Sequence, residues 1–104
     1  MAEHLLAVTT VGNDDDAEKV ARALVESRVA ACVNIIGPAR SFYHWKGNLE
    51  DEHELVLLMK TRADRFSDLE AVLQEVHPYD VPELIALPID RASAAYLSWI
   101  DENV

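Results

Sequence analysis

Ala30-Ala31-Cys32-Val33-Asn34-Ile35-Ile36 decides the fold, because here the chain leaves a helical pattern and takes up a period of two. Ala31, Val33 and Ile35 fall on one face of the predicted strand and Ala30, Cys32 and Asn34 on the other. The first face reads as core and the second as mixed. Gly37-Pro38 interrupts the run, Ser41 to Trp45 resumes it, and Gly47-Asn48 has the composition of a tight hairpin turn before Glu50 to Lys60 returns. These residues predict a long hairpin whose strands can run on beyond the rest of the sheet.

On the N-terminal side, Leu5 to Thr10 is a short apolar, Thr-rich strand followed by the turn Gly12-Asn13-Asp14-Asp15-Asp16. Asp15 and Glu18 have the spacing of a capping box, and Ala17, Val20, Ala21 and Leu24 recur at helical intervals, so a helix is expected from about Asp15 to Ser27. On the C-terminal side, Asp64 to Val76 repeats the helical signal through Phe66, Leu69, Leu73 and Val76, and Pro78 ends it. Val81-Pro82 forces extended backbone just before Leu84 to Leu87, the heart of a last strand over Glu83 to Ile89. Asp90 is read as the cap of a short final helix in which Tyr96, Leu97 and Ile100 share a face, with Trp99 beside them.

Strand-helix-strand therefore occurs twice with a hairpin between the halves. This is the α+β, ferredoxin-like split βαβ sandwich, in which both helices cover one face of an antiparallel four-stranded sheet. The other face would then be solvated, yet Leu55-Val56-Leu57-Leu58-Met59 is apolar without alternation, as expected of a strand buried on both sides. A second copy of the chain is the simplest cover, so the sequence predicts an oligomer.

The 104 residues are expected to form a single domain spanning 1–104, with 50% hydrophobic residues to build a core. The 9 basic residues against 19 acidic ones leave a net charge of −10 and no basic face, which disfavours nucleic acid. No apolar stretch approaches the roughly 20 residues that cross a bilayer. Met1-Ala2-Glu3-His4 has no basic leader region, and the expectation is a cytoplasmic protein. The single cysteine, Cys32, excludes an internal disulfide and a Cys-x-x-Cys site.

Five segments together resemble the CutA family of divalent-cation tolerance proteins. They are Ala30 to Ile36, Ser41-Phe42-Tyr43-His44-Trp45-Lys46-Gly47, Leu57-Leu58-Met59-Lys60-Thr61, His77-Pro78-Tyr79-Asp80-Val81-Pro82-Glu83 and Tyr96-Leu97-Ser98-Trp99-Ile100. The resemblance implies a tight homotrimer in which hairpin strands pair between subunits and hide the sheet faces. It also implies divalent metal binding, copper before zinc, with Cys32 and His77 as ligands and Glu83 as a further one. A thiolate and a neutral imidazole suit such metals.

The same residues have structural readings. Cys32 is also read as a small buried hydrophobe, His77 as a helix C-terminal group that caps carbonyls, and Asp80 and Glu83 as caps of a turn. The acidic stretch Glu50, Asp51, Glu52, Glu54 around His53 is read as a solvated or ion-paired face. Tyr43, Trp45, Lys46 and Tyr79 could line an intersubunit pocket for a small anion or a ring-shaped ligand. No phosphate loop, nucleophile elbow or His-Glu-x-x-His pattern occurs, so a binding protein without an organic cofactor is expected rather than an enzyme. The alternative function is a PII-like signalling or scaffold trimer that binds a small metabolite or a partner protein in its clefts.

Overall fold

The computed structural model describes residues 3–104; Met1 and Ala2, part of the N-terminal segment read above, lie outside the described residues. Strand β1 (His4–Val11) leads to helix α1 (Asp14–Glu26), then to the paired strands β2 (Cys32–Trp45) and β3 (Asn48–Arg62). A turn of 3₁₀ helix, Ala63–Arg65, opens helix α2 (Phe66–Val76), which is followed by strand β4 (Ile85–Pro88) and helix α3 (Ala94–Asn103). The four-stranded sheet has the order β2-β3-β1-β4 with every neighbour antiparallel, the predicted split βαβ arrangement.

Alternation sets the core. Ala7 and Val11 of β1 and Leu57 and Met59 of β3 are fully buried against Val20 and Leu24 of α1 and Leu69 and Leu73 of α2. Burial of each large side chain contributes about 1.5–3 kcal/mol. The buried Thr61 hydroxyl donates to the Val29 carbonyl at 2.7 Å and is satisfied.

Several boundaries differ from the sequence reading: the last strand is Ile85–Pro88 rather than Glu83 to Ile89, and α2 begins at Phe66 rather than Asp64. The α1 cap is formed by Asn13 with Asp16, not by Asp15 and Glu18: the Asp16 amide donates to Asn13 Oδ1 at 2.8 Å while Asn13 Nδ2 donates to Asp16 Oδ2 at 2.9 Å. Asn13 is the last residue with extended backbone, and only such a residue can turn its side chain onto the first free amides. The hairpin turn is Lys46-Gly47, with Trp45 already paired to Asn48, and both turn residues have positive φ, 51° and 83°. A two-residue turn of this hand demands that conformation twice, which places Gly47 second rather than first. Finally, Ser93 caps α3 by accepting from the Tyr96 amide at 3.3 Å, and Asp90 stays exposed beside Arg91.

The second face of the sheet carries Leu6, Val8, Val56, Leu58, Ile36, Ile85 and Leu87 by register. Part of it is covered. Helix α3 lies against β3, its Ile100 is buried outside the main cluster, and its Asp101 accepts from His4 Nε2 at 2.8 Å. Ile36, Ile85 and Leu87 remain about half exposed, at 51%, 54% and 50%.

The hairpin outruns the sheet as expected. β1 ends with Val11 opposite Leu55, while β2 and β3 stay paired from Ala39 and Glu54 to the turn, giving the molecule a 44 Å long axis. The sequence reading treated Gly37-Pro38 as an interruption; the structure keeps one strand through a bulge between Ile36 and Ala39. A Cβ at Gly37 would collide with the end of the Leu55 side chain, which would have to shift to admit it. Before the bulge Asn34 faces Leu58 and Ile36 faces Val56, whereas after it Ser41 faces Glu52 and Tyr43 faces Glu50. One extra residue has therefore exchanged the faces of β2. Ser41, Tyr43 and Trp45 are turned to the second side, and Arg40 to the first, where it holds Asp51 through two bonds of 2.8 Å.

Candidate binding cleft

The exchange of faces builds a cleft at the root of the hairpin arm. A cavity of about 590 Å³ is lined by Thr10, Ser41, Phe42, Tyr43, Trp45 and Glu54 from the strands and by Tyr79, Asp80, Val81 and Glu83 from the segment between α2 and β4. That segment is held by His77. Its Nε2–H donates to the Thr10 carbonyl at 2.8 Å, and its Nδ1 accepts the Tyr79 amide at 3.1 Å. The ring is thus a neutral imidazole with both nitrogens engaged, only 6% exposed and packed edge-on against Tyr79 at 4.8 Å.

Tyr79 carries the fixing on to the acid. Its hydroxyl donates to Glu54 Oε2 at 2.8 Å, and Glu54 is 7% exposed. Burial, and then the Glu54 carboxylate beside it, push the Tyr79 phenol well above its ordinary range. Tyr43 is raised as well, by desolvation first and then by Glu54, Glu52 and Glu50. Both rings face the cleft as neutral phenols.

The sign of the pH dependence follows. A phenol raised in the folded chain stabilises the fold fully below its unfolded value of about 10, and that contribution fades as the pH climbs toward the higher folded value. An ultraviolet phenolate titration of the folded chain is expected to show a late-ionising tyrosine that is absent from Tyr79→Phe. Identical titration curves for the two proteins would refute it. The variant should also lose about 1–3 kcal/mol, because buried Glu54 is left without its donor.

The residues picked out from the sequence separate into two regions. Tyr43, Trp45, Tyr79, Asp80 and Glu83 come together at the cleft within one chain. Lys46 does not line it; it sits in the turn with Nζ 5.9 Å from the Trp45 ring. Cys32 lies elsewhere. It is opposite Lys60, which is opposite Leu6, four residues along β1 from the Thr10 carbonyl that His77 holds, a distance of roughly 13 Å by strand rise. Cys32 is half-buried on the second face, with Sγ 3.8 Å from Asn34 Oδ1 and 4.0 Å from Lys60 Nζ.

Among the described residues no three His, Cys, Asp or Glu side chains converge as a metal-binding group. Sequence reasoning singled out neither Glu54 nor Thr10 for the cleft. Glu54 is the last acid before the apolar run, and that change of character was its one visible signal.

Fold and cleft define the class: a small α+β protein of the split βαβ type whose hairpin arm overhangs an aromatic, acidic recess. The chain belongs to the CutA family, since the family model described as CutA1 divalent ion tolerance protein matches residues 5–103. It is 43% identical over 98 residues to the divalent-cation tolerance protein CutA of Thermus thermophilus, covering 94% of this chain and 95% of that one. It is 45% identical over 98 residues to a CutA homolog of Xenopus laevis, covering 94% of this chain but 65% of the relative.

Solved structures agree with this placement. Cut A1 of Thermus thermophilus superposes with a TM-score of 0.93 at 42% identity, over 97% of this chain and 98% of that one. The Archaeoglobus fulgidus CutA, described as a periplasmic divalent cation tolerance protein, gives 0.92 at 36% identity, over 96% of this chain and 97% of that one. Among the described residues no helix is long and apolar enough to cross a membrane.

Proposed function

We propose that the protein serves divalent-cation tolerance as a homotrimer that binds a divalent cation, copper in preference to zinc, with Cys32 as the soft ligand between copies. The observation that carries this reading is the position of Cys32: half-buried on the second face of the sheet, in the edge strand β2. A ligand there is presented to a neighbouring copy, and the unpaired edges of the arm invite pairing between chains. Glu83 is exposed and free to approach a cation from the cleft side. His77 would first have to release the Tyr79 amide from Nδ1, so it enters the ligand set only with a rearrangement of that segment. A cytoplasmic location accompanies the proposal, and cell fractionation checks it against the periplasm.

Calorimetric titration of Cu(II) and Zn(II) into the sized oligomer, with thiol oxidation followed in parallel, is the test. Binding at an integral number of sites per trimer, tighter for copper and lost in Cys32→Ala, is the expected result. Weak binding at many sites that survives in Cys32→Ala would overturn it.

The cleft favours a second reading of a different kind. A preformed recess of about 590 Å³ with a fixed buried acid has the size and lining of a small-molecule site. On this reading the assembly is a PII-like signalling or scaffold trimer whose clefts take a metabolite.

A further inference from the structure

We propose that the cleft is a recognition site for an organic ammonium ligand, and in particular for an extended amine carrying more than one cationic group. The inference rests on the second reading above, that the cleft is a ligand site, and it assigns the chemical class.

Charge comes first. Glu54, Asp80 and Glu83 line the cavity, while no lysine or arginine does, so an anion would meet carboxylates and nothing to neutralise it. Glu54 is nine-tenths buried, and among the described residues its only side-chain partner is the Tyr79 hydroxyl on Oε2. Oε1 is left for a donor from the cavity. A buried carboxylate with an open acceptor is satisfied best by a charged N–H donor.

Shape separates an amine from a metal ion. Glu54, Asp80 and Glu83 all line the cavity, yet among the described residues no three His, Cys, Asp or Glu side chains lie close enough together to hold a metal ion. Tyr43, Trp45 and Tyr79 line the same cavity, and aromatic rings attract a cation without stripping it to a bare ion. The chain already uses its arm rings in this manner, with Arg40 5.0 Å from the Phe42 ring and Lys46 5.9 Å from the Trp45 ring. Dispersed carboxylates joined by aromatic walls suit a ligand several carbon atoms long with a cation at each end.

The test is calorimetry on the full-length oligomer with three probes: cadaverine, tetramethylammonium and glutarate, the dicarboxylate counterpart of cadaverine. Saturable binding of cadaverine, weaker binding of tetramethylammonium and none of glutarate is expected. Glu54→Gln keeps an acceptor for Tyr79 and should weaken cadaverine by about 10- to 100-fold, the worth of one charge-assisted bond. Asp80→Asn, at an exposed position without a role in the core, gives a second reading of the same site and should weaken it about severalfold. Glu70→Gln on the exposed face of α2 should change nothing.

Equal cadaverine binding in all four proteins would mean attraction to an acidic surface and would overturn the proposal. Binding of glutarate in preference to cadaverine would overturn the ammonium assignment while leaving the cleft as a ligand site. Failure of every probe to bind with the oligomer intact would overturn the ammonium assignment, and a metabolite screen by thermal shift would then decide the cleft reading by itself.

Discussion

Leu57→Ala is expected to lower stability by about 2–5 kcal/mol, a large share of the 5–15 kcal/mol that holds a typical domain. Leu57 is fully buried in the third strand, between Thr9 and Ile35 by register, and belongs to the cluster that includes Leu24, Leu69 and Leu73. Truncation removes apolar contacts and leaves a void that two helices and a sheet cannot collapse to fill. Urea denaturation at fixed protein concentration measures the loss. A change below about 1 kcal/mol would mean that this face of the sheet is not the main core.

Leu58→Asp, one residue further, is expected to act through assembly instead. Leu58 points to the opposite side, opposite Val8 and Asn34, among side chains that a lone chain leaves partly open. In a single chain a carboxylate at such a position is tolerated. In a trimer closed over that face it brings an unpaired charge into apolar surroundings in every subunit, at a cost of several kcal/mol each. Each 1.4 kcal/mol is about a factor of ten in affinity, so association at micromolar concentration should be lost. Sedimentation velocity would show dissociated or aggregated chains. An intact trimer with unchanged thermal stability would show that this face is not the contact between copies, and with it the placement of Cys32 at an interface would fail.

The pair also shows why much of the fold could be read from the sequence. The unbroken apolar run Leu55 to Met59 reads as a strand with apolar side chains on both faces, and the structure has a strand there with Leu57 and Met59 in the core and Val56 and Leu58 on the second face. Helices α1 and α2 were legible for the same reason, since Val20, Leu24, Leu69 and Leu73 recur at helical spacing and are all fully buried. Caps were less legible. Asn13, Asp14, Asp15 and Asp16 are all capable of capping, and which one does so depends on where the chain leaves β1, a tertiary matter that composition does not contain.

The cleft was legible only in part. Tyr43, Trp45 and Tyr79 were conspicuous as aromatic residues in a small chain, and the structure does bring them together. Lys46 shares their motif and offers a cation for an anionic ligand, but the positive φ of the turn carries it past the cleft. The charge of the recess was missed because Glu54 looked like one more acid in a run with Glu50, Asp51 and Glu52. Its burial arises from Tyr79, 25 positions away, through the His77 bond to Thr10, and no local pattern encodes that relay.

The bulge at Gly37 and Pro38 gives this arm a sense of parity. Substitutions along residues 39–54 alter one side chain at a time, but adding or deleting a single residue at the bulge would reverse every side chain of β2 beyond it, turning Tyr43 and Trp45 away from the recess. Tolerance to change in the arm is therefore governed by length modulo two, and relatives that keep the recess while differing in length there should do so in steps of two.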